Sequence, residues 1–420
     1  MSVYYVDNES GDNSNSGLSP VCAVKSYTAI NVTPGDTVLF KCGNIYNEQL
    51  IFTEGTDDKP VKYSCYGSGH KPAFVGSTDV SDPSVWTEIS CNIWRCTTEI
   101  PGEAGNFLFN FDECTATLRW DKSQLAFQGD FWDSRFGNCE KKTGNSKQEL
   151  LLYSVGNPGN FYKNVQCISY NKRVIGVITN NIIIEDLHIK NSGVHGFAGR
   201  GKNVSIRRCV FENIGGCVWD KNLKIRFGNA VEFWVYAENV LIENCIFKNV
   251  YDSCVTHQGP GEATIPASNF KCRSNLFDTY GMAAFEYRDK LPVDSCFENN
   301  ICINAGCGFA MLGDTLPRSS EIWPQPMGHH IFLWRMPEAT PGGRLKISDN
   351  IFGNAPVGAC VYSIISADVE KQIELNDNVY LQSNLSLINR YGNKEYDDFY
   401  KYTVETGCDR QSIFVKLSQI

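Results

Sequence analysis

The sequence predicts an all-β parallel coil, a solenoid of short strands. Three observations predict it: a repeated eleven-residue segment, an Asn column at the end of that segment, and enough apolar residues to fill a long core. Seven segments share the template: an Asn-like start, two apolar residues at period 2, a Cys, Leu or Asn, another apolar residue, then usually Asn. They begin at Asn181 (NIIIEDLHIKN), Asn203 (NVSIRRCVFEN), Asn239 (NVLIENCIFKN), Asn269 (NFKCRSNLFDT), Asp294 (DSCFENNICIN), Arg344 (RLKISDNIFGN) and Gln372 (QIELNDNVYLQ). The starts lie 22, 36, 30, 25, 50 and 28 residues apart, so a minimal coil of 22 residues carries loops of variable size. Period-2 apolar pairs mark strands, and the 3.6-residue stripe of a helical repeat is missing. Stacked strands of this kind contact only their neighbours along the coil axis.

The last template position forms a column of Asn191, Asn213, Asn249, Asn304 and Asn354, with Thr279 and Gln382 in the gaps. An Asn at a recurring bend can bond its own backbone and the amide of the next Asn, so the column is read as structural. Cys209 and Cys245 share one template position inside the stack.

In chain order, residues 1–80 read as an N-terminal cap and first coils, their strands broken by Gly, Pro and Asn turns. Residues 81–165 lose the repeat, gain Trp86, Trp94, Trp120 and Trp132, and read as a β-rich insertion packed on the coil. Residues 166–385 hold the repeats, and 386–420 form a polar, aromatic C-terminal cap. A cap is expected because the open end of a solenoid exposes a strand edge.

The chain has 420 residues, 42% of them hydrophobic, and a net charge of −9. That acidic balance argues against nucleic-acid and anionic-membrane partners. No stretch approaches the roughly 20 apolar residues of a membrane span. The start, MSVYYVDNESG, has neither the basic nor the apolar region of a signal peptide, which predicts a cytoplasmic protein unless a leader has been removed. Eighteen Cys without C-x-x-C pairs, most at apolar template positions, read as reduced core thiols rather than as metal ligands or disulfides.

The opening YYVDNESGDNSNSG, with SYTAINVTPGDTVLF, resembles the N-terminal signature of bacterial right-handed parallel β-helix proteins of the pectate-lyase-like superfamily. The stretches GNAVEFW (228–234), YDSCVTHQG (251–259) and FEY (285–287) resemble the active-site coils of its glycoside hydrolase branch. The resemblance covers nearly the whole chain. It implies a right-handed parallel β-helix and a carbohydrate substrate, and it speaks more firmly for fold than for reaction.

The residues themselves point to the same coils. With Val231, Val255, Phe285 and Phe309 facing inward, Glu232, Thr256, Glu286 and Ala310 form one outward column. The next outward column holds Arg200, Trp234, Gln258, Arg288 and Leu312. Rungs are ~4.8 Å apart, so Glu232 and Glu286 would have Cα atoms roughly 9 to 10 Å apart, close enough to flank one glycosidic bond. Asp252, in the turn before the middle rung, is the third carboxylate. Crowded acids raise at least one pKa, which suits a general acid. Trp234 could carry a sugar ring, while Arg288, Gln258 and Arg200 could fix hydroxyls or a carboxylate. Three long excursions, 217–228, 259–268 and 313–343, adjoin these rungs and bring Trp219, Arg226, Trp323, His329, His330 and Trp334 to what they enclose. His257 aligns inward and reads equally as a structural histidine or a catalytic acid.

Three readings stand. A glycoside hydrolase would use Glu232, Asp252 and Glu286 without metal or cofactor, and the pocket-like loops favour exo action. A polysaccharide lyase would need a cation such as Ca²⁺ or an Arg to neutralise a uronate carboxylate and a basic residue to remove the α proton, roles for which Arg288, His257 and Arg200 are the candidates. A non-catalytic carbohydrate-binding coil would merely pair Glu, Arg and Gln across a solvated sheet.

Overall fold

The computed structural model describes residues 1–137, 148–170, 174–175, 179–308, 327–355, 361–383, 387–389 and 394–418. Each template segment forms two strands separated by a sharp bend. In the first, Ile182–Glu185 and His188–Ser192 flank Asp186, whose φ of 57° is left-handed. Corresponding bends fall at Arg208, Asn244, Ser274, Asn299, Asp349 and Asp377, all with φ between 50° and 59°. A third strand completes each turn, so the coil has three faces.

The three faces are parallel, apart from the strand Lys394–Tyr396, which pairs antiparallel with Leu387–Asn389. The second strands of the segments form one face, a ten-stranded sheet running from Ile45–Tyr46 through His188–Ser192, Val210–Ile214 and Ile246–Val250 to Ile413–Lys416. The other two merge into one eighteen-stranded sheet, because Phe197–Arg207 and Val231–Glu243 run unbroken across both. Inward residues stack rung on rung: Phe211, Phe247 and Phe277 lie face to face with ring centres 5.2 and 4.8 Å apart. Fully burying each such ring stabilises the coil by about 1.5–3 kcal/mol. This is the right-handed parallel β-helix that the repeat predicts.

The Asn columns hold the bends. Asn213 donates to Asn191 Oδ1 at 3.0 Å and Asn249 to Asn213 Oδ1 at 3.2 Å. Thr279 interrupts the column, and Asn304 turns to Asp278 Oδ1 at 2.8 Å instead. A second column joins the segment starts Asn181, Asn203, Asn239 and Asn269. A third lies inside the coil, where Asn275, Asn300, Asn350 and Asn378 link side chain to side chain at 3.0–3.1 Å. It continues the positions of Cys209 and Cys245 and ends on the buried Asp409 carboxylate at 3.1 Å. Asp409 also accepts from Tyr380, Tyr402 and Ser412, which ties the terminal helix Phe399–Thr406 and strand Ile413–Lys416 to the last rungs.

The coil is interrupted in sequence but not in space. Val61–Tyr63 pair with Ile182–Ile184, and Ala73–Val75 with His188–Lys190, so neighbouring rungs flank more than a hundred intervening residues. Residues 77–169 build two sheets of mainly antiparallel pairing, of four and five strands, over their own core of Trp86, Phe107, Phe109, Phe131, Leu150 and Leu152. One expectation fails here. The rung after Ala283–Arg288 is His329–Met336, paired Phe285 to Ile331 and Glu286 to Phe332, whereas Phe309 was expected to supply it. Seven of the eight residues of HHIFLWRM are buried, so the strand lacks the alternation that would reveal it within a long loop. Residues 309–312 and Trp323 lie outside the described residues.

Sixteen cysteines are described and all are free thiols, eight of them buried. No described helix is long and apolar enough to cross a membrane.

Candidate active site

Three consecutive rungs and one hairpin enclose a cleft of about 790 Å³. The rungs are the first half of Val231–Glu243, then Ser253–Gln258 and Ala283–Arg288, with His329–Met336 beyond. Parallel register sets Glu232 beside Thr256 and Thr256 beside Glu286. It likewise aligns Trp234, Gln258, Arg288 and Trp334 in the next outward column. The chain turns sharply after this column, through left-handed φ at Val235, Asp289 and Arg335. A β-branched Val at φ 72° is strained, and here it bends Val231–Glu243 away from the face that presents Glu232 and Trp234.

The cleft gathers Glu232, Asp252 and Glu286 with Trp219, Trp234, Gln258 and Arg288. Glu286, 1% exposed, accepts from Ser253 Oγ at 2.7 Å through one oxygen and from Trp334 Nε1 at 2.7 Å through the other. Burial, and next the charge of Asp252, push its carboxyl above the usual range, against the opposing pull of Arg288. Glu232 is held differently: Asn229 Nδ2 at 2.7 Å and Gln258 Nε2 at 2.8 Å both donate to Oε2, and His195 Nδ1 lies 3.4 Å away. Asn229 also accepts from the Ser253 backbone at 3.0 Å and donates its own N–H to His195 Nδ1 at 3.2 Å, so one small network spans the two glutamates.

Aromatic and cationic side chains form the rim. The Arg288 guanidinium lies 5.6 Å from the Trp234 ring and 5.4 Å from that of Trp334, and donates to Gly259 O at 2.8 Å. The Arg335 guanidinium lies 5.8 Å from the Trp334 ring. Asp289 lies 3.6 Å from Arg288 and 3.3 Å from Arg335. Trp234 and Trp219 present 40% and 58% of their surface, enough for a ligand to cover.

Four expected contacts lie elsewhere. His257 faces the interior between Phe233 and Tyr287, and burial lowers its pKa to about 4. His330 is also interior, bonded to Tyr280 Oη at 2.5 Å and Gly353 O at 2.6 Å. Arg226 is 1% exposed and bonded to backbone carbonyls, away from the cleft surface. Arg200 falls in a register shift between Gly199 and Gly201 and is not among the residues that line the cleft. Conversely, Asn229, Ser253, His195 and Met282 belong to the site without having been expected there. The GNAVEFW and YDSCV stretches contained Asn229 and Ser253, and their polarity beside Glu232 and Asp252 was the available signal. Among the described residues, no group of three or more His, Cys, Asp or Glu is placed to hold a metal ion.

No family model matches the chain. A lacto-N-biosidase of Bifidobacterium longum is 32% identical over 94 residues, which is 20% of this chain. The chain spans only 6% of that protein's length. Among solved structures, XylC in complex with xylose superposes with a TM-score of 0.51 at 10% identity, covering 91% of this chain and 70% of that one. A GH136 lacto-N-biosidase from Eubacterium ramulus gives 0.50 at 14% identity, covering 99% and 67%. With its three parallel faces and its Asn-bonded bends, the chain is a right-handed parallel β-helix protein of the fold these structures share.

Proposed function

We propose that this protein is a glycoside hydrolase, with Glu286 as general acid and Asp252 as its partner carboxylate. The observation that carries the reading is the pairing of the two at the cleft: a buried glutamate whose carboxyl is pushed above its usual range by burial and by a neighbouring aspartate. Glycoside hydrolysis needs such a pair, one carboxylic acid to protonate the departing oxygen and one carboxylate to attack the sugar or activate water. Ser253 and Trp334 each occupy one lone pair of Glu286, which fixes the carboxyl plane and leaves a further position for the transferable proton. Glu232, restrained by Asn229 and Gln258 two rungs from Glu286, is an acceptor for sugar hydroxyls. Trp234 offers the apolar face of its indole to a pyranose ring. The similarity to a lacto-N-biosidase over 94 residues, and the fold shared with XylC, agree with a carbohydrate substrate.

A panel of aryl glycosides and short oligosaccharides, followed by product analysis, identifies the substrate. On that substrate Glu286→Gln and Asp252→Asn should each lower kcat by about 10² to 10⁴-fold with the fold retained, the usual weight of acid–base groups. Full activity in both variants would refute the assignment. An unsaturated uronide absorbing in the ultraviolet would mark elimination and make the protein a lyase.

A further inference from the structure

The wall of the cleft opposite the coil is the hairpin of Cys217–Asp220 and Ile225–Phe227. Its pairing runs Cys217 to Phe227 and Val218 to Arg226, then shifts so that Asp220 meets Ile225. Trp219 is the residue left over in that shift. A bulge of this kind re-aims a side chain, and here the indole is 58% exposed at the cleft. Asp220 closes the turn by accepting from the Asn222 and Leu223 backbone at 2.8 and 3.0 Å.

The hairpin is held chiefly by the 77–169 insertion. Glu103, wholly buried, accepts the Val218 N–H at 2.5 Å through one oxygen and the Gly137 N–H at 2.8 Å through the other. Arg226 donates to Gly216 O at 2.7 Å and to Gly105 O at 2.8 Å, with its guanidinium 4.9 Å from the Tyr251 ring of the coil. Gly105 permits the contact: a Cβ there would meet Cys217 Sγ at 2.8 Å. Val218 completes the attachment by packing in the insertion's own core. The buried Glu103 carboxyl and the buried Arg226 guanidinium thus clamp Val218 and Gly216, just ahead of Trp219, to the start of the insertion's strand Ala104–Phe109.

We propose that the insertion is a specificity module: it positions Trp219 as a second aromatic subsite, for a sugar ring adjoining the one on Trp234, and Glu103 is the positioning residue. The inference rests on the glycoside hydrolase reading, and it assigns the substrate class as oligosaccharides of at least two units. Each oxygen of the Glu103 carboxyl accepts one backbone N–H, and an amide in its place keeps only one acceptor oxygen, so Glu103→Gln should loosen the hairpin without touching the acids.

The test compares a p-nitrophenyl monoglycoside with an oligosaccharide of the same sugar, both turned over by the wild type. Glu103→Gln should raise KM for the oligosaccharide about tenfold while kcat, and KM for the monoglycoside, stay within about twofold, the signature of lost ground-state binding. Trp219→Ala should raise the same KM, and Trp219→Phe should recover most of it. The double variant Glu103→Gln/Trp219→Ala should be no worse than the worse single one, because both changes remove one subsite. Independent, multiplying effects would overturn the positioning role. An unchanged oligosaccharide KM in Trp219→Ala, an exposed site where folding is not at stake, would overturn the subsite even if Glu103→Gln fails to fold. Should the wild type hydrolyse nothing, the hydrolase reading fails separately. Calorimetric titration of xylobiose and lacto-N-tetraose into wild type and Trp219→Ala then decides the subsite, and binding by neither protein, or equal binding by both, refutes it.

Discussion

Glu286 shows how one side chain acquires a role from its surroundings. Its carboxyl is raised first by burial and then by Asp252. As general acid it must be protonated, so kcat/KM should fall as pH rises through the raised value. Asp252→Asn removes the repelling charge, and the alkaline limb of its residual activity should move to lower pH. The same shift acts on stability. A folded carboxyl that holds its proton above the unfolded value contributes stability fully present below the unfolded pKa, and that contribution is lost as pH climbs through the folded pKa. Glu286→Gln should therefore be more stable than wild type at neutral pH, with the gap closing below the ordinary glutamate range. Denaturation at several pH values checks this, and a pH-independent difference would contradict it.

At the scale of the element, the left-handed residue near the end of each strand of the ten-stranded sheet decides how rungs stack. Asn191, Asn213, Asn249 and Asn304 take φ between 54° and 58° there, a region that Asn tolerates and β-branched residues resist. Thr279 occupies the same place at φ 62°. Thr279→Asn should relieve that strain and restore the side-chain link from Asn249 to Asn304. A gain of about 1 kcal/mol is expected, seen as a higher midpoint in chemical denaturation. No gain would mean that the Asp278 bonds to Thr279 and Asn304, at 2.9 and 2.8 Å, already do as well.

For the whole molecule, continuity is the governing feature. The inner Asn column runs from Asn275 to Asp409 and ties the last coils to the terminal helix. Cysteines fill small apolar sites along the same interior: Cys209, Cys245, Cys254, Cys272 and Cys302 are at most 1% exposed. Burial pushes the thiols of Cys254, Cys272 and Cys302 well up, which further suppresses thiolate. A thiol reagent should label only a minority in the native protein, led by the exposed Cys22, Cys91 and Cys114, and all eighteen in denaturant without reductant. Fewer than eighteen in denaturant would reveal disulfides.

The repeat template determined the coil, its bends and the column of Glu232, Thr256 and Glu286, because strand period and bend chemistry are local and a parallel register carries them from rung to rung. The strand His329–Met336 escaped because burial on both sides erases alternation. Which of two like residues serves the cleft was also beyond local pattern. Arg226 and Arg288 are both arginines near the site, yet only the fold puts one against backbone carbonyls and the other between two indoles. Nor could spacing reveal that Glu103, over a hundred residues before Trp219, holds its hairpin. Such contacts depend on where the insertion docks, and docking is set by the shapes of two finished cores.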